Sequence, residues 1–227
     1  MTAVDMTRGG DRSHTRYEHS DSFVRRALLA CGVLSSLLYA AMLIFVPLRW
    51  PGYSSASQAV SELSAIGAPT RSLWVPFGAL YTVLVSAFGV GVLMAGRRER
   101  ALRVAGGVLV VYGLLGLFWP PMHLRGAQPT LTDTLHVAFA VATVLLMLIA
   151  IAFGAAALGR GFRAYSIATL GVFVLFGTLT FLQAPRLAAN LPTPWLGIWE
   201  RINIGAFLMW VVVFAAVLSR DGRQRDG

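Results

Sequence analysis

Apolar residues in this chain come in long blocks, not at the spacing that marks a half-buried surface element. Six windows carry no charged residue: Ala27–Leu48 (22 residues), Ser72–Gly96 (25), Val104–Met122 (19), Thr134–Gly159 (26), Ala164–Pro185 (22) and Ile202–Ser219 (18). Crossing the hydrocarbon core of a bilayer takes about 20 residues at 1.5 Å per residue, so every window is long enough. The pattern predicts an all-α polytopic membrane protein, a six-transmembrane-helix bundle over residues 22–219. The polar stretch 1–21 has no apolar period and reads as a disordered cytoplasmic tail, and 220–227 as a second, shorter cytoplasmic tail.

The longest polar interruption between spans is Pro51–Pro69, PGYSSASQAVSELSAIGAP. Ser55 and Gln58 have capping-box spacing, and Ala59, Val60, Leu63 and Ile66 follow at helical intervals. Gly67 suits a left-handed C-terminal position and Pro69 forbids continuation. A short amphipathic helix over Ser55–Ile66 in the first extracytoplasmic loop is therefore expected. It would be too short to cross the membrane and would carry Glu62 at the margin of its apolar face.

Composition agrees with the blocks: 56% of residues are hydrophobic and 13% charged, where a soluble domain carries about 25% charged. Net charge is +9, and all 19 basic residues are arginine. Such an excess in a soluble protein would suggest nucleic acid. Here 14 of the arginines fall in the N-terminal tail, the loops after the second and fourth spans, and the C-terminal tail, leaving five for the other side. The positive-inside rule accounts for this asymmetry, so no nucleic-acid partner is expected. It predicts a multi-pass protein of the cytoplasmic (inner) membrane with both termini cytoplasmic. Trp50, Trp74, Trp119, Trp195 and Trp199 cluster near the outer ends of the spans, as an interfacial aromatic belt would. Cys31 is alone, so no intrachain disulfide can form.

The window interiors contain no ionisable carboxylate, which weighs against an ion-coupled transporter with a mid-membrane acid. Glycines crowd the third span, and small-xxx-small pairs occur at Gly91/Ala95 and Ala150/Gly154. Such faces allow close helix packing and offer an oligomer contact. Charged and polar groups gather instead at the outer ends: Arg49, Glu62, Arg71, His123, Arg125, Asp133, His136, Glu200 and Arg201. Among these, Glu62, His136, Glu200, Arg201 and Arg71 are the candidates for a binding site. Asp133 and His136 share a helical face, and with His123 they form an alternative set of three metal ligands. No cofactor motif, phosphate-binding loop or oriented nucleophile is legible, so no cofactor is expected.

Three groups of residues resemble one family. They are Pro51-Gly52-Tyr53-Ser54 with Val60-Ser61-Glu62-Leu63 and Gly67-Ala68-Pro69; Leu135-His136; and Gly197-Ile198-Trp199-Glu200-Arg201 with Trp210. Together they resemble the bacterial membrane proteins called domain of unknown function 998. The resemblance implies a six-helix membrane protein without an assigned activity. The family often carries an acidic residue just after the third helix, where this chain reads Pro120-Pro121-Met122-His123. The functional expectation is an extracytoplasmic polar site that binds a lipid headgroup or small amphiphile, with membrane lipids as partners. The alternatives are an integral membrane metal-dependent hydrolase and a facilitator for a neutral solute.

Overall fold

The computed structural model describes the backbone of residues 8–226 and the side chains of residues 22–220. The helices are α1 (Arg8–Phe45), α2 (Arg71–Ala95), α3 (Arg100–Leu117), α4 (Leu131–Ala157), α5 (Arg160–Phe181), the single turn α6 (Ala184–Ala188) and α7 (Leu196–Asp226). Six helices among the described residues are long and apolar enough to cross a membrane, with spans at Ser22–Arg49, Arg71–Ala95, Arg100–Leu117, Leu131–Ala157, Arg160–Ala188 and Leu196–Arg220. The expected six-span all-α architecture is the observed one. Of the stretch expected to be a disordered cytoplasmic tail, residues 1–7 lie outside the described residues and the backbone from Arg8 on is helical.

The spans close into a ring. Each packs on the next in sequence, and α7 lies between α5 and α1. Short links join α2 to α3 and α4 to α5 at one end. Three longer loops, 46–70, 118–130 and 182–195, lie together at the other, which is called the loop end below.

Aromatic side chains fill the middle of the ring. Phe88 meets Phe214 edge-on with centroids 6.0 Å apart, Phe214 packs 4.7 Å from Trp210, and Phe162 stacks on Phe214 at 5.5 Å. The Trp210 indole N–H donates to Ser166 Oγ at 3.0 Å, so the one polar atom of that ring is satisfied. Several interior hydroxyls likewise have partners. Ser36 donates to Leu208 O, Ser86 to Thr82 O, Thr169 to Tyr165 O, and Tyr81 and Tyr112 pair at 2.8 Å.

Close approach of α2 and α3 depends on glycine. A Cβ on Gly106 would come within 2.8 Å of Leu93 N, and one on Gly89 within 2.8 Å of Val110 N. Gly91 likewise accommodates α1 at Leu28, and Gly154 accommodates Trp210. Several glycines of the faces expected to offer an oligomer contact therefore serve close contact inside the protomer, while Gly107 faces open space. In lipid, where tails are as apolar as leucine, such contact is a main source of helix association. The tryptophan belt is only partial. Trp195 is exposed, but Trp74 is buried beneath the first loop with Met42, Val46, Val60 and Leu63.

Candidate functional site

The first long loop departs from its expected form. No α-helix spans Ser55–Ile66; turns lead to a 3-10 helix of five residues, Val60–Ser64. The capping signal acts one step later than its spelling suggests. Gln58 Oε1 accepts from Ser54 N at 2.9 Å, which closes the preceding turn and removes Gln58 from a helix-starting role. Glu62 instead reaches back to Ala59 N at 2.9 Å and starts the shorter helix there. Gly67 takes φ +89°, as expected for a chain reversal only glycine adopts freely.

Glu62 is 1% exposed, yet every face of its carboxylate has a donor. Oε1 accepts from Ala59 N at 2.9 Å and from Arg125 Nε at 3.0 Å, with Arg125 Nη2 at 2.9 Å; Oε2 accepts from Gln58 Nε2 at 2.9 Å. Arg125 is in turn fully engaged. Its Nη1 donates to Thr193 Oγ1 at 2.9 Å and Nη2 to Ser57 O at 3.1 Å, while Thr193 Oγ1 donates to Ser57 O at 2.9 Å. One guanidinium thus ties all three long loops together. A buried carboxylate is tolerated only when paired and hydrogen-bonded, and this one is both.

The start of α7 is fastened to the same loop. Val60 N donates to Glu200 Oε2 at 2.7 Å, and the Gly197 and Ile198 amides converge on Ala56 O. Arg201 Nη1 donates to Ser55 O at 2.8 Å and Nη2 to Tyr53 Oη at 2.9 Å. Tyr53 passes its own proton to Ala59 O at 2.9 Å. Burial pushes the Tyr53 phenol up, and the Arg201 hydrogen bond only partly opposes this. A side chain at Gly197 would collide with the Gln58 and Ser55 carbonyls, so the tight seating of α7 under the loop requires glycine there. The result is a lid, bonded to itself and to the bundle.

Glu62, Glu200 and Arg201 therefore come together on the segment 53–62. His136 does not join them. Its Nδ1 faces the Pro120 carbonyl at 2.8 Å and its ring meets Trp119 edge-on at 5.1 Å, so it fastens the end of α3 to α4. The alternative metal set does not assemble either. Asp133 binds His123, through backbone N at 2.7 Å and ring Nδ1 at 3.0 Å, while His136 points at Pro120. Among the described residues no three His, Cys, Asp or Glu side chains form a metal-ligating group.

Arg71, the first residue of α2, stands apart at the side of the lid. One guanidinium nitrogen, Nη1, donates to Ser64 O. The others have no partner among the described residues. The side chain lines an opening of about 480 Å³ with Ala68, Ser72, Val75 and Pro76. Pro76 has no N–H to give to the Ser72 carbonyl one turn back, so this end of α2 keeps unfilled hydrogen-bonding capacity. Val75, Ala79 and Val83, each a turn apart on the face of α2 that carries Arg71, leave the flank below it apolar and exposed.

Gln58, Tyr53, Arg125 and Thr193 were not among the sequence candidates for the site. Gln58 is four residues from Glu62, a spacing that could have signalled contact. No local signal connects Arg125 or Thr193 to Glu62, because they lie on different loops.

A ring of six membrane-spanning helices closed at one end by a bonded lid defines a multi-pass membrane protein. The family described as "Protein of unknown function (DUF998)" matches residues 33–217, and the chain belongs to that family. No curated protein and no solved structure matches the chain.

Proposed function

We propose that this protein binds an anionic lipid headgroup, or a small anionic amphiphile, at the opening beside Arg71, in the leaflet away from the arginine-rich links. The observation that carries the reading is an incompletely used guanidinium at a lateral opening above an apolar flank. A phosphate or carboxylate would take the remaining Arg71 N–H groups, and an acyl chain would lie along Val75 and Val83. Charge-assisted bonds of this kind contribute roughly 1.5–3 kcal/mol each. Glu62, Glu200 and Arg201 serve binding indirectly in this reading. They hold the lid that sets the position of Ser64, and Ser64 O orients Arg71.

The test is retention of phosphatidylglycerol against phosphatidylcholine by purified protein, read by native mass spectrometry. Arg71→Gln is expected to lower phosphatidylglycerol retention about tenfold, since 1.4 kcal/mol is a factor of ten. Equal retention of the two lipids by wild type, or an unchanged preference in Arg71→Gln, would sink the reading.

A further inference from the structure

A second opening lies between the loops 118–130 and 182–195, and it contains chemistry that the lid does not use. It measures about 310 Å³, at the small end of ligand cavities. Its lining includes His123, Asp133, Gln128, Asn190, Leu124 and Leu187. Asp133 clamps His123 twice, accepting from the backbone amide on Oδ1 at 2.7 Å and facing ring Nδ1 with Oδ2 at 3.0 Å. Asp133 is itself fixed, since Oδ2 also accepts from Thr130 N at 2.8 Å and Thr130 Oγ1 at 2.7 Å. A carboxylate can only accept, so Nδ1 of His123 carries a proton, and in the neutral imidazole Nε2 is the nitrogen with the lone pair. The imidazole side chain remains 30% exposed, and its hydrogen bond to Asp133 occupies Nδ1, not Nε2. Asn190 has its Oδ1 occupied by Gly126 N at 2.9 Å, so its free end is the amide N–H₂ donor.

The geometry points to a hydrolytic site for carboxylic esters in this cavity, with His123 as general base and Asp133 as its positioning residue. An oriented base, a carboxylate that sets its tautomer, and an amide donor on a cavity of mixed polar and apolar lining are the parts such a step needs. Water gives a proton to His123 Nε2 as its oxygen bonds to the ester carbonyl carbon. The carbonyl electron pair moves onto oxygen, toward the amide of Asn190 or Gln128. When that pair returns, the bond from carbon to the alkoxy oxygen breaks, and Nε2 returns its proton to the leaving alcohol. The products are a carboxylic acid and an alcohol, with no other reactant. Leu124 and Leu187 suit a short acyl chain. The site shares no residue with the Arg71 opening, and its test is independent of lipid retention.

The experiment uses the full chain in detergent micelles with p-nitrophenyl butyrate, a soluble ester, and p-nitrophenyl palmitate, which partitions into the micelle. The two arms separate a free substrate from a membrane-borne one. Asp133→Asn removes the charge of the clamp and sets an N–H₂ against either His123 N or Thr130 N, so the fixed orientation and tautomer of the imidazole are lost. That variant and His123→Ala are each expected to lose roughly 100-fold in hydrolysis of the ester that is turned over, the low end for general-base catalysis. Diethyl pyrocarbonate provides a second readout on wild type and does not depend on variants folding. The Nε2 lone pair attacks it, releasing carbon dioxide and ethanol, and peptide mass spectrometry locates the ethoxycarbonyl group. Labelling at His123 that weakens in Asp133→Asn is the expected result. Wild-type hydrolysis no faster than buffer with both esters, activity unchanged in Asp133→Asn, or an unlabelled His123 would each overturn the assignment.

Discussion

Arg125→Ala is the sharpest perturbation available, because one side chain joins three loops. The substitution removes both guanidinium contacts to Glu62 and the bonds to Thr193 and Ser57. Glu62, 1% exposed in wild type, is left with only the Gln58 and Ala59 donors. Removing one partner of a buried pair costs about 3–5 kcal/mol, and the two remaining donors favour the low end. At 1.4 kcal/mol per factor of ten, 3 kcal/mol is a shift of about 100-fold in the opening equilibrium of the lid. Hydrogen exchange reads this directly, since the amides of Ala59, Val60, Ile66 and Gly197 are bonded only while the lid is closed. Their exchange is expected to accelerate about 100-fold, while amides in the middle of α2 and α3 keep wild-type rates. The double variant Glu62→Met with Arg125→Met removes both charges and should recover part of the loss. Exchange at those four amides within threefold of wild type would refute the account of Arg125 as the tie between loops.

Glu62→Gln keeps an acceptor for Ala59 and Arg125 but sets an amide N–H₂ against Gln58 Nε2, so a fall of about 1.5–3 kcal/mol in lid stability is expected by the same exchange measurement. Tyr53 makes the lid sensitive to alkali. Its folded phenol is raised above the ordinary value of about 10, so its stabilising contribution is fully present below about pH 10 and is lost as pH climbs through the folded value. The alkaline loss of thermal midpoint should be smaller in Tyr53→Phe than in wild type; equal slopes would contradict this. Gly106→Leu would drive a side chain into the Leu93 backbone and separate α2 from α3, so detergent-solubilised protein should lose its monodisperse peak in size-exclusion chromatography. Tyr112→Phe breaks one bond to Tyr81, and interhelical bonds in lipid average only about 0.6 kcal/mol, so little change in midpoint is expected.

How much of this was legible beforehand differs by element. The six spans could be read from length and polarity alone. The lid segment was legible as a unit, and Gly67 as its reversal, but its helix was not. Whether Ser55 or Ala59 begins a helix depends on where Gln58 and Glu62 send their side chains. Both are recruited by groups outside the local pattern, Glu62 above all by Arg125, 63 residues away. His136 looked like Glu62, a polar residue opening an apolar stretch, yet its partner is a carbonyl at the end of α3.

The sequence by itself determined that the chain spans the membrane six times, because a bilayer imposes one length and one polarity on every crossing segment. It also showed that the few polar groups outside the basic links gather at the span ends joined by the long loops. Only the tertiary structure decided what those groups do. Glu62 and Arg125 neutralise each other in a buried knot, Arg71 keeps capacity to spare, and His123 is clamped with one nitrogen free. The reason is that a charge near apolar surroundings must find a partner, and the ring closure of the helices chooses which loop supplies it.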